Sequence, residues 1–113
     1  MTSPTQRSLK HLRDNGWHPE KVEWWNSFTH RRNDLFGFAD LLAIKEGETP
    51  LLIQITTGSN LAARRTKVYE NPLSPLVLKS GFRILLHGWA KYKVKRGGKA
   101  TAWRLREEEV FSQ

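Results

Sequence analysis

The sequence contains no cysteine, so disulfide bonds and thiolate metal sites are excluded and a reducing compartment is favoured. It also lacks a Gly-rich phosphate loop, a zinc motif and any run of the ~18 apolar residues that a membrane-spanning helix needs. The first ten residues, MTSPTQRSLK, have no apolar segment of the kind found in secretory signals. We therefore expect a soluble protein of the cytoplasm.

Acidic residues are scarce relative to basic ones. Lys and Arg total 19 against 11 Asp and Glu, which gives a net charge of +8 and an isoelectric point near 10.2. Polyanions are natural partners of such a chain, because binding them releases condensed counterions. Basic clusters and five tryptophans favour nucleic acid, whereas solubility alone is the alternative reason for the charge. A chain of 113 residues is expected to form one domain with a single modest core.

The middle of the chain predicts a β-hairpin. Two apolar, β-rich runs, Phe36–Ile44 and Leu51–Thr56, flank a polar turn that contains glycine and proline. Because side chains alternate along a strand, Gln54 and Thr56 share one face of the second run. Asp40 lies in the first run, so we expect three polar groups to converge at one edge of the hairpin.

Proline, glycine and capping side chains mark the other elements. Ser3 and Ser74 each precede a proline, which is the pattern of an N-cap followed by the first helical position. We predict one α/β domain, with a mixed sheet of about five strands flanked by helices. The predicted elements are a helix over 4–15, a turn around 17–19, a strand over 22–28, a polar loop over 29–34, helices over 61–70 and 74–79, a strand over 82–89, a basic hairpin over 91–99, an edge strand over 100–106 and a charged tail over 107–113.

The positions of Asp40 and of the triplet Gln54-Ile55-Thr56 resemble the PD-(D/E)XK nuclease superfamily, and within it the archaeal-type Holliday junction resolvases. In that superfamily an Asp on one strand is followed on the next strand by Glu-x-Lys, and then by a helix. Gln54 and Thr56 stand here in place of the Glu and the Lys. Gln6, just before an Arg in the first helix, stands where resolvase-like nucleases often carry another acid. The layout also resembles short phage-encoded nuclease-like proteins.

This resemblance implies a restriction-endonuclease-like fold and a metal-dependent, structure-selective endonuclease that acts on branched DNA as a homodimer. The location would then be the host cytoplasm if the chain is phage-encoded. It assigns catalytic roles to Asp40, Gln54, Thr56 and Gln6. It assigns Mg²⁺ or Mn²⁺ to the Asp40 carboxylate, the Gln54 carbonyl and the backbone carbonyl of Ile55.

The matched positions leave this pocket only one formal negative charge, so we expect weak metal binding without DNA phosphate. Glu23 and Asp34 are the only nearby acids that could replace a lost ligand, although each is expected to be a surface group. A catalytically degenerate DNA-binding module is the main alternative to the enzyme. A protein-interaction factor that uses the Trp-rich surface is a further alternative.

Three basic clusters are candidate contacts for nucleic-acid phosphates. A solvated surface is the alternative for each, and protection of an edge strand is a second alternative for the last. The residues are His30, Arg31 and Arg32 in the polar loop; Arg64, Arg65 and Lys67 on the helix after Thr56; and Lys91, Lys93, Lys95 and Arg96 in the basic hairpin. Of Trp24 and Trp25, one is expected to be core and the other semi-exposed, and His87 is expected to be a hydrogen-bonded core histidine.

Overall fold

Serine and proline begin the first helix where the sequence predicts, as α1 (Pro4–Asp14). The Ser3 hydroxyl accepts a hydrogen bond from the Gln6 amide, and the Gln6 side chain accepts one from the Ser3 amide, which completes a capping box. The computed structural model describes residues 2–113. The other elements are β1 (His18–Lys21), β2 (Trp24–Asn26), β3 (Arg31–Asn33), β4 (Leu41–Ile44), β5 (Leu51–Thr57), α2 (Leu61–Glu70), α3 (Ser74–Lys79), β6 (Arg83–Lys93) and β7 (Thr101–Val110).

Five strands form one mixed sheet in the order β1-β4-β5-β6-β7, and β2 pairs with β3 in a separate two-stranded ribbon. β5 and β6 are parallel, whereas the other neighbours in the large sheet are antiparallel. A parallel pair needs a long crossover, which α2 and α3 supply between β5 and β6. This architecture confirms the predicted α/β class and is compatible with a restriction-endonuclease-like fold.

Two apolar clusters cover the two faces of the sheet. On one face, Leu52 of β5 packs with Leu61 and Val68 of α2. On the other face, Leu51 and Ile53 of the same strand pack in a cluster that contains residues of α1. Each such leucine or isoleucine stabilises the fold by roughly 1.5–3 kcal/mol relative to an exposed side chain. Because elements pack on both faces of β5, most of its side chains are buried.

His87 lies fully buried on β6, and both of its ring nitrogens have partners, as the sequence predicts. The Ser8 hydroxyl of α1 lies 2.8 Å from Nδ1, and a Glu107 oxygen of β7 lies 2.8 Å from Nε2. Trp89 Nε1, which can only donate, reaches the Ser8 hydroxyl at 2.8 Å. This chain of hydrogen bonds connects α1 to β6 and β7 through the core.

The first strand of the predicted hairpin, Phe36–Ile44, is shorter than predicted, because regular pairing starts only at Leu41. The residues before it form a tight turn, in which Phe36 and Gly37 have left-handed φ values of 58° and 83°. Left-handed backbone ends an extended strand. Asp40 therefore lies just before β4 and not within a strand.

The predicted strand over 22–28 is confirmed only at its centre, where Trp24–Asn26 form β2, and the predicted loop over 29–34 is wrong at 31–33, which form β3. Residues 18–21 form β1, an edge strand that contains Pro19, where the sequence predicts a turn. The chain then leaves the sheet, and β2 and β3 pair with each other. Trp24 and Trp25 are 52% and 60% exposed, so neither is the predicted core residue. A two-stranded ribbon has no hydrophobic core of its own, so neither of its faces buries a large side chain, and both rings stay exposed.

The charged tail predicted over 107–113 is also wrong for its first part. Residues 107–110 belong to β7 and pair with β6. Glu108 receives two hydrogen bonds of 2.7 Å from the Arg65 guanidinium, and Glu109 receives two from Arg83. Bidentate pairs of this kind hold the glutamates in the sheet, a partnership that the sequence run alone does not indicate. Among residues 2–113, no helix is long and apolar enough to cross a membrane.

Candidate functional site

An open cavity of about 380 Å³ lies where α1, β5 and α2 meet the root of the β2–β3 ribbon. It contains the predicted residues Asp40, Gln54, Ile55 and Thr56, so the expected convergence of polar groups occurs at this point. The cavity is lined by Pro4, Thr5, Glu23, Arg32, Asp34, Asp40, Gln54, Ile55, Thr56, Thr57 and Arg64.

Asp40 is the most firmly held acid of the cavity. Its side chain is 6% exposed, and its Oδ2 accepts hydrogen bonds from the Ile55 amide at 2.7 Å and from Gln54 Nε2 at 2.9 Å. Its own amide donates to the carbonyl of Ile53 at 2.8 Å. Both donors approach the same oxygen, so neither of these hydrogen bonds uses Oδ1.

Three carboxylates converge here from three different segments. Glu23 lies just before β2, Asp34 just after β3, and Asp40 just before β4. One oxygen of each lies within 4.8 Å of the others. The Glu23 side chain is only 12% exposed, so this acid is not the surface group that the sequence suggests. Carboxylate oxygens at such separations are hard donors of the type that bind Mg²⁺ or Mn²⁺.

Burial raises the pKa values of two of these acids, Asp40 and Asp34. Burial, the largest cause, raises the pKa of Asp40 to about 8; the Ile55 N–H opposes the rise, and the charges of Asp34 and Glu23 add to it. Burial also raises the pKa of Asp34, although a hydrogen bond with Asp40 and the charges of two arginines oppose it. The cluster thus retains a proton at neutral pH in the absence of a cation, and a cation among the oxygens would favour their ionised form.

Gln54 is 5% exposed on β5 and acts as a donor toward the groups assigned to the metal. Its Nε2 lies 2.9 Å from Asp40 Oδ2 and 3.3 Å from the Ile55 carbonyl. Both neighbours are acceptors, so the amide nitrogen, and not the carbonyl, is the end that faces them. The Gln54 carbonyl is therefore not directed at the oxygens of Asp40 and Ile55 with which it was expected to share a cation.

Two arginines bring positive charge to the cavity. Arg32 of β3 places Nη1 3.3 Å from Glu23 Oε1, and Arg64 of α2 also lines the cavity. The charges of both arginines act on the Asp34 carboxyl. Thr56 lines the cavity without adding charge, so no lysine or arginine occupies the third position of the triplet.

The remaining predicted residues lie outside the cavity. Gln6 is placed elsewhere, because its side chain is bound in the capping box of α1. Arg65 pairs with Glu108 on β7. Lys67 is exposed on α2, and His30 and Arg31 are exposed on the β2–β3 ribbon.

The basic hairpin is a projecting arm formed by the distal ends of β6 and β7. Lys91, Lys93, Lys95 and Arg96 are all exposed on it. The Lys91 ammonium lies 5.5 Å from the centre of the Trp103 ring, which is a cation–π distance. The arm therefore carries solvent-facing cations beside aromatic rings.

Sequence reasoning identified Asp40 because the predicted hairpin brings it to the same edge as Gln54 and Thr56, although the structure places Asp40 just before β4. It named Glu23 and Asp34 as nearby acids but did not place them in the site, because each lies in a loop where no periodicity indicates direction. Their spacing to either side of the Trp-rich ribbon is the signal that could have grouped them. Comparisons of the chain with protein-family models, with curated proteins and with solved structures found no match.

Proposed function

We propose that this protein is a DNA-binding, metal-dependent endonuclease that hydrolyses phosphodiester bonds in structured DNA. The observation that carries the proposal is the convergence of Glu23, Asp34 and Asp40, with one oxygen of each within 4.8 Å of the others, in a cavity that is open to solvent. Two arginines line the same cavity, so it contains both carboxylates that can bind a cation and guanidinium groups that can donate hydrogen bonds to a phosphate.

The donor set fits a small hard cation, because it consists of oxygens from separate, anchored segments. Mg²⁺ or Mn²⁺ would be held by the carboxylates of Glu23, Asp34 and Asp40. This set replaces the ligands expected from the resemblance, since Gln54 presents a nitrogen to its neighbours. When bound, such a cation lowers the pKa of an attacking water and neutralises charge on the scissile phosphate.

The chain's own residues have distinct roles in this proposal. Arg32 and Arg64 bind the phosphate oxygens, on which negative charge grows as water forms the new P–O bond and the ester P–O bond breaks. The Ile55 amide and the Gln54 side chain keep Asp40 Oδ2 in place, and neither of these hydrogen bonds uses Oδ1. The Thr56 hydroxyl is available to orient water or phosphate but cannot supply a lysine's charge.

Duplex DNA would be held mainly by the exposed cations of the arm, including Lys91, Lys93, Lys95 and Arg96. Contacts of this type carry no sequence information and weaken steeply with salt. A cytoplasmic location and pairing of two copies, which suits an enzyme that cuts two strands, belong to the same proposal. An apolar surface with Phe36, Leu73 and Leu76 exposed is available for that pairing, and light scattering in solution tests it.

A catalytically degenerate DNA-binding module is the second candidate. Gln54 favours this candidate, because its amide nitrogen donates hydrogen bonds to both Asp40 and the Ile55 carbonyl. Among the described residues that line the cavity there is also no lysine. In this alternative the basic surface binds DNA and the buried acids only hold the ribbon to the body of the protein.

Cleavage assays on junction, flap and linear duplex DNA separate the two candidates. We expect the protein to cut structured DNA with Mg²⁺ or Mn²⁺ and not in EDTA, and we expect Asp40→Asn to lose about 100-fold or more of the rate. DNA affinity should be kept or increased in this variant, because a negative charge is removed. Asp14→Asn, which changes an exposed acid on α1, is the matched control and should cut normally.

Preserved cleavage in Asp40→Asn would remove this acid from the mechanism. Metal-independent DNA binding without any cleavage, on all three DNA structures, would favour the degenerate module. A protein that shows no salt-sensitive DNA binding would contradict both candidates and leave a protein-interaction factor.

A further inference from the structure

The β2–β3 ribbon carries aromatic side chains that residues 2–113 leave largely open to solvent. Trp24 and Trp25 are 52% and 60% exposed, and Phe28 at the tip is 94% exposed. The ribbon is a separate two-stranded sheet, so the rings are not needed to pack the five-stranded sheet. Several large aromatic rings exposed together are typical of a surface that binds a partner.

The tip is built to keep one conformation. The Asn26 side chain accepts hydrogen bonds from the amides of Phe28 and Thr29, at 2.9 and 3.2 Å. His30 has a left-handed φ of 54° and packs edge-on against Trp25, with ring centres 6.3 Å apart. The backbone at Phe28 is therefore held in an ordered turn, and its side chain lies in solvent.

Charge selects the kind of partner. From Trp24 to Asn33 the chain contains no acidic residue, whereas Arg31 and Arg32 lie on β3. Trp25 is the cross-strand neighbour of Arg32, so the two side chains share one face of the ribbon. An aromatic ring beside a guanidinium matches a nucleotide, because the ring stacks on the base and the guanidinium binds the phosphate.

The ribbon is rooted in the acidic cavity. Glu23 immediately precedes β2, Asp34 immediately follows β3, and Arg32 reaches from the ribbon to Glu23. Phe28 is five residue steps along the chain from Glu23, so their Cα atoms are at most roughly 18 Å apart. Stacked nucleotides are 3.4 Å apart along a strand, so a base at the tip lies within roughly five nucleotides of the carboxylates.

We infer that the β2–β3 ribbon binds unpaired DNA bases, stacking them on Trp25 and Phe28, so that the substrate of the cavity is DNA with a single-stranded segment beside a duplex. This inference rests on the proposed function for the chemistry at the cavity, although the ribbon's binding of unpaired bases can be measured separately. Paired bases are already stacked on their neighbours and offer no free face, which is why the ribbon discriminates between paired and unpaired DNA.

The test is DNA binding in EDTA, where no hydrolysis occurs. Fluorescence anisotropy is measured with an oligo-dT strand, a flapped duplex and a fully paired duplex of equal length. We expect Trp25→Ala and Phe28→Ala each to weaken binding to the oligo-dT strand and the flapped DNA by about 10-fold, and binding to the duplex by less than about twofold. Phe111→Ala is the control, because Phe111 is 63% exposed at the far end of β7, and it should bind all three DNAs normally.

Equal losses on paired and unpaired DNA, or no loss in either variant, would overturn the inference. A change in oligomeric state of Trp25→Ala, seen by light scattering, would also overturn it and identify the ribbon as a surface between protein copies. Circular dichroism confirms folding, which exposed substitutions leave intact. If unpaired DNA binds through the ribbon but no DNA is cut with Mg²⁺ or Mn²⁺, the ribbon inference stands and the proposed hydrolysis fails. If DNA is cut but the ribbon variants bind all three DNAs normally, the proposed hydrolysis stands and the ribbon inference fails.

Discussion

Asp40→Asn is expected to stabilise the fold above neutral pH when no divalent cation is present. Asparagine retains an oxygen that accepts from the Ile55 amide and Gln54 Nε2, which now bond Asp40 Oδ2 at 2.7 and 2.9 Å. Its amide nitrogen then replaces Oδ1 and donates to the two neighbouring carboxylates. The variant thus has the shape and hydrogen bonds of a protonated Asp40 at every pH.

The magnitude follows from the raised pKa. Burial and the neighbouring acids raise the pKa of Asp40 from 3.8 to about 8, so the folded state holds a proton that the unfolded chain releases. The contribution of Asp40 to the free energy of unfolding therefore falls as pH rises from about 4 to about 8, and it levels above that range. At about 1.36 kcal/mol per pKa unit the upper limit is about 6 kcal/mol. A like-charge pair about 5 Å apart at an effective dielectric constant of about 20 costs about 3 kcal/mol. Because water enters the open cavity, we expect a relative gain for Asp40→Asn of about 2–4 kcal/mol between pH 5 and pH 8.5.

Urea unfolding in EDTA at pH 5, 7 and 8.5 measures this gain as the difference between the two proteins. Ionisations far from the three acids cancel in that difference, because the two chains share them, and the difference reports the titration of the cluster as a whole. Asp14→Asn is the control: its carboxylate is exposed and pairs with Lys10, so it should change stability by less than about 1 kcal/mol at each pH. Parallel pH profiles for the wild type and Asp40→Asn would refute the reasoning.

Three further predictions follow from the same contacts. Mg²⁺ or Mn²⁺ at about 100 times its dissociation constant should raise the free energy of unfolding of the wild type at pH 8 by about 2.7 kcal/mol, and Glu23→Gln should reduce this gain. Gln54→Glu should lower stability in EDTA, because it adds a fourth acid beside Asp40, and should increase affinity for the cation in calorimetry. Ser8→Ala should lower the free energy of unfolding by about 2–4 kcal/mol in urea, because Trp89 Nε1 and His87 Nδ1 both lose their partner.

Each of these three predictions has a control variant or a result that would contradict it. Ser27→Ala, at an exposed serine in the ribbon turn, controls for Ser8→Ala and should change stability by less than about 0.5 kcal/mol. A loss that small in Ser8→Ala would mean that the buried chain of hydrogen bonds contributes little. Equal cation affinity in Gln54→Glu and the wild type would mean that Gln54 does not limit binding at the acids. An unchanged cation effect in Glu23→Gln would remove that carboxylate from the ligand set.

Local sequence signals predicted the elements whose ends are marked by proline, glycine or a capping side chain. α1 and the turn before β5 are of this kind, and alternation along β5 correctly placed Gln54 and Thr56 in the site. The region between α1 and β4 could not be predicted in the same way. One of Trp24 and Trp25 was expected to be core, but β2 and β3 have only each other as partners, and tertiary pairing overrode the apolar pattern. Glu23 and Asp34 enter the site only because that ribbon leaves and returns at one place.

The glutamates at the end of β7 have a consequence for how the molecule meets a charged partner. Glu107, Glu108 and Glu109 lie at one end of the β6–β7 pair, whereas residues 91–106 contain seven lysines and arginines and no acid. The strand pair therefore has an electric dipole moment along its length. A polyanion arriving from any direction exerts a torque that turns the arm toward it before contact, so salt should slow association far more than it speeds dissociation.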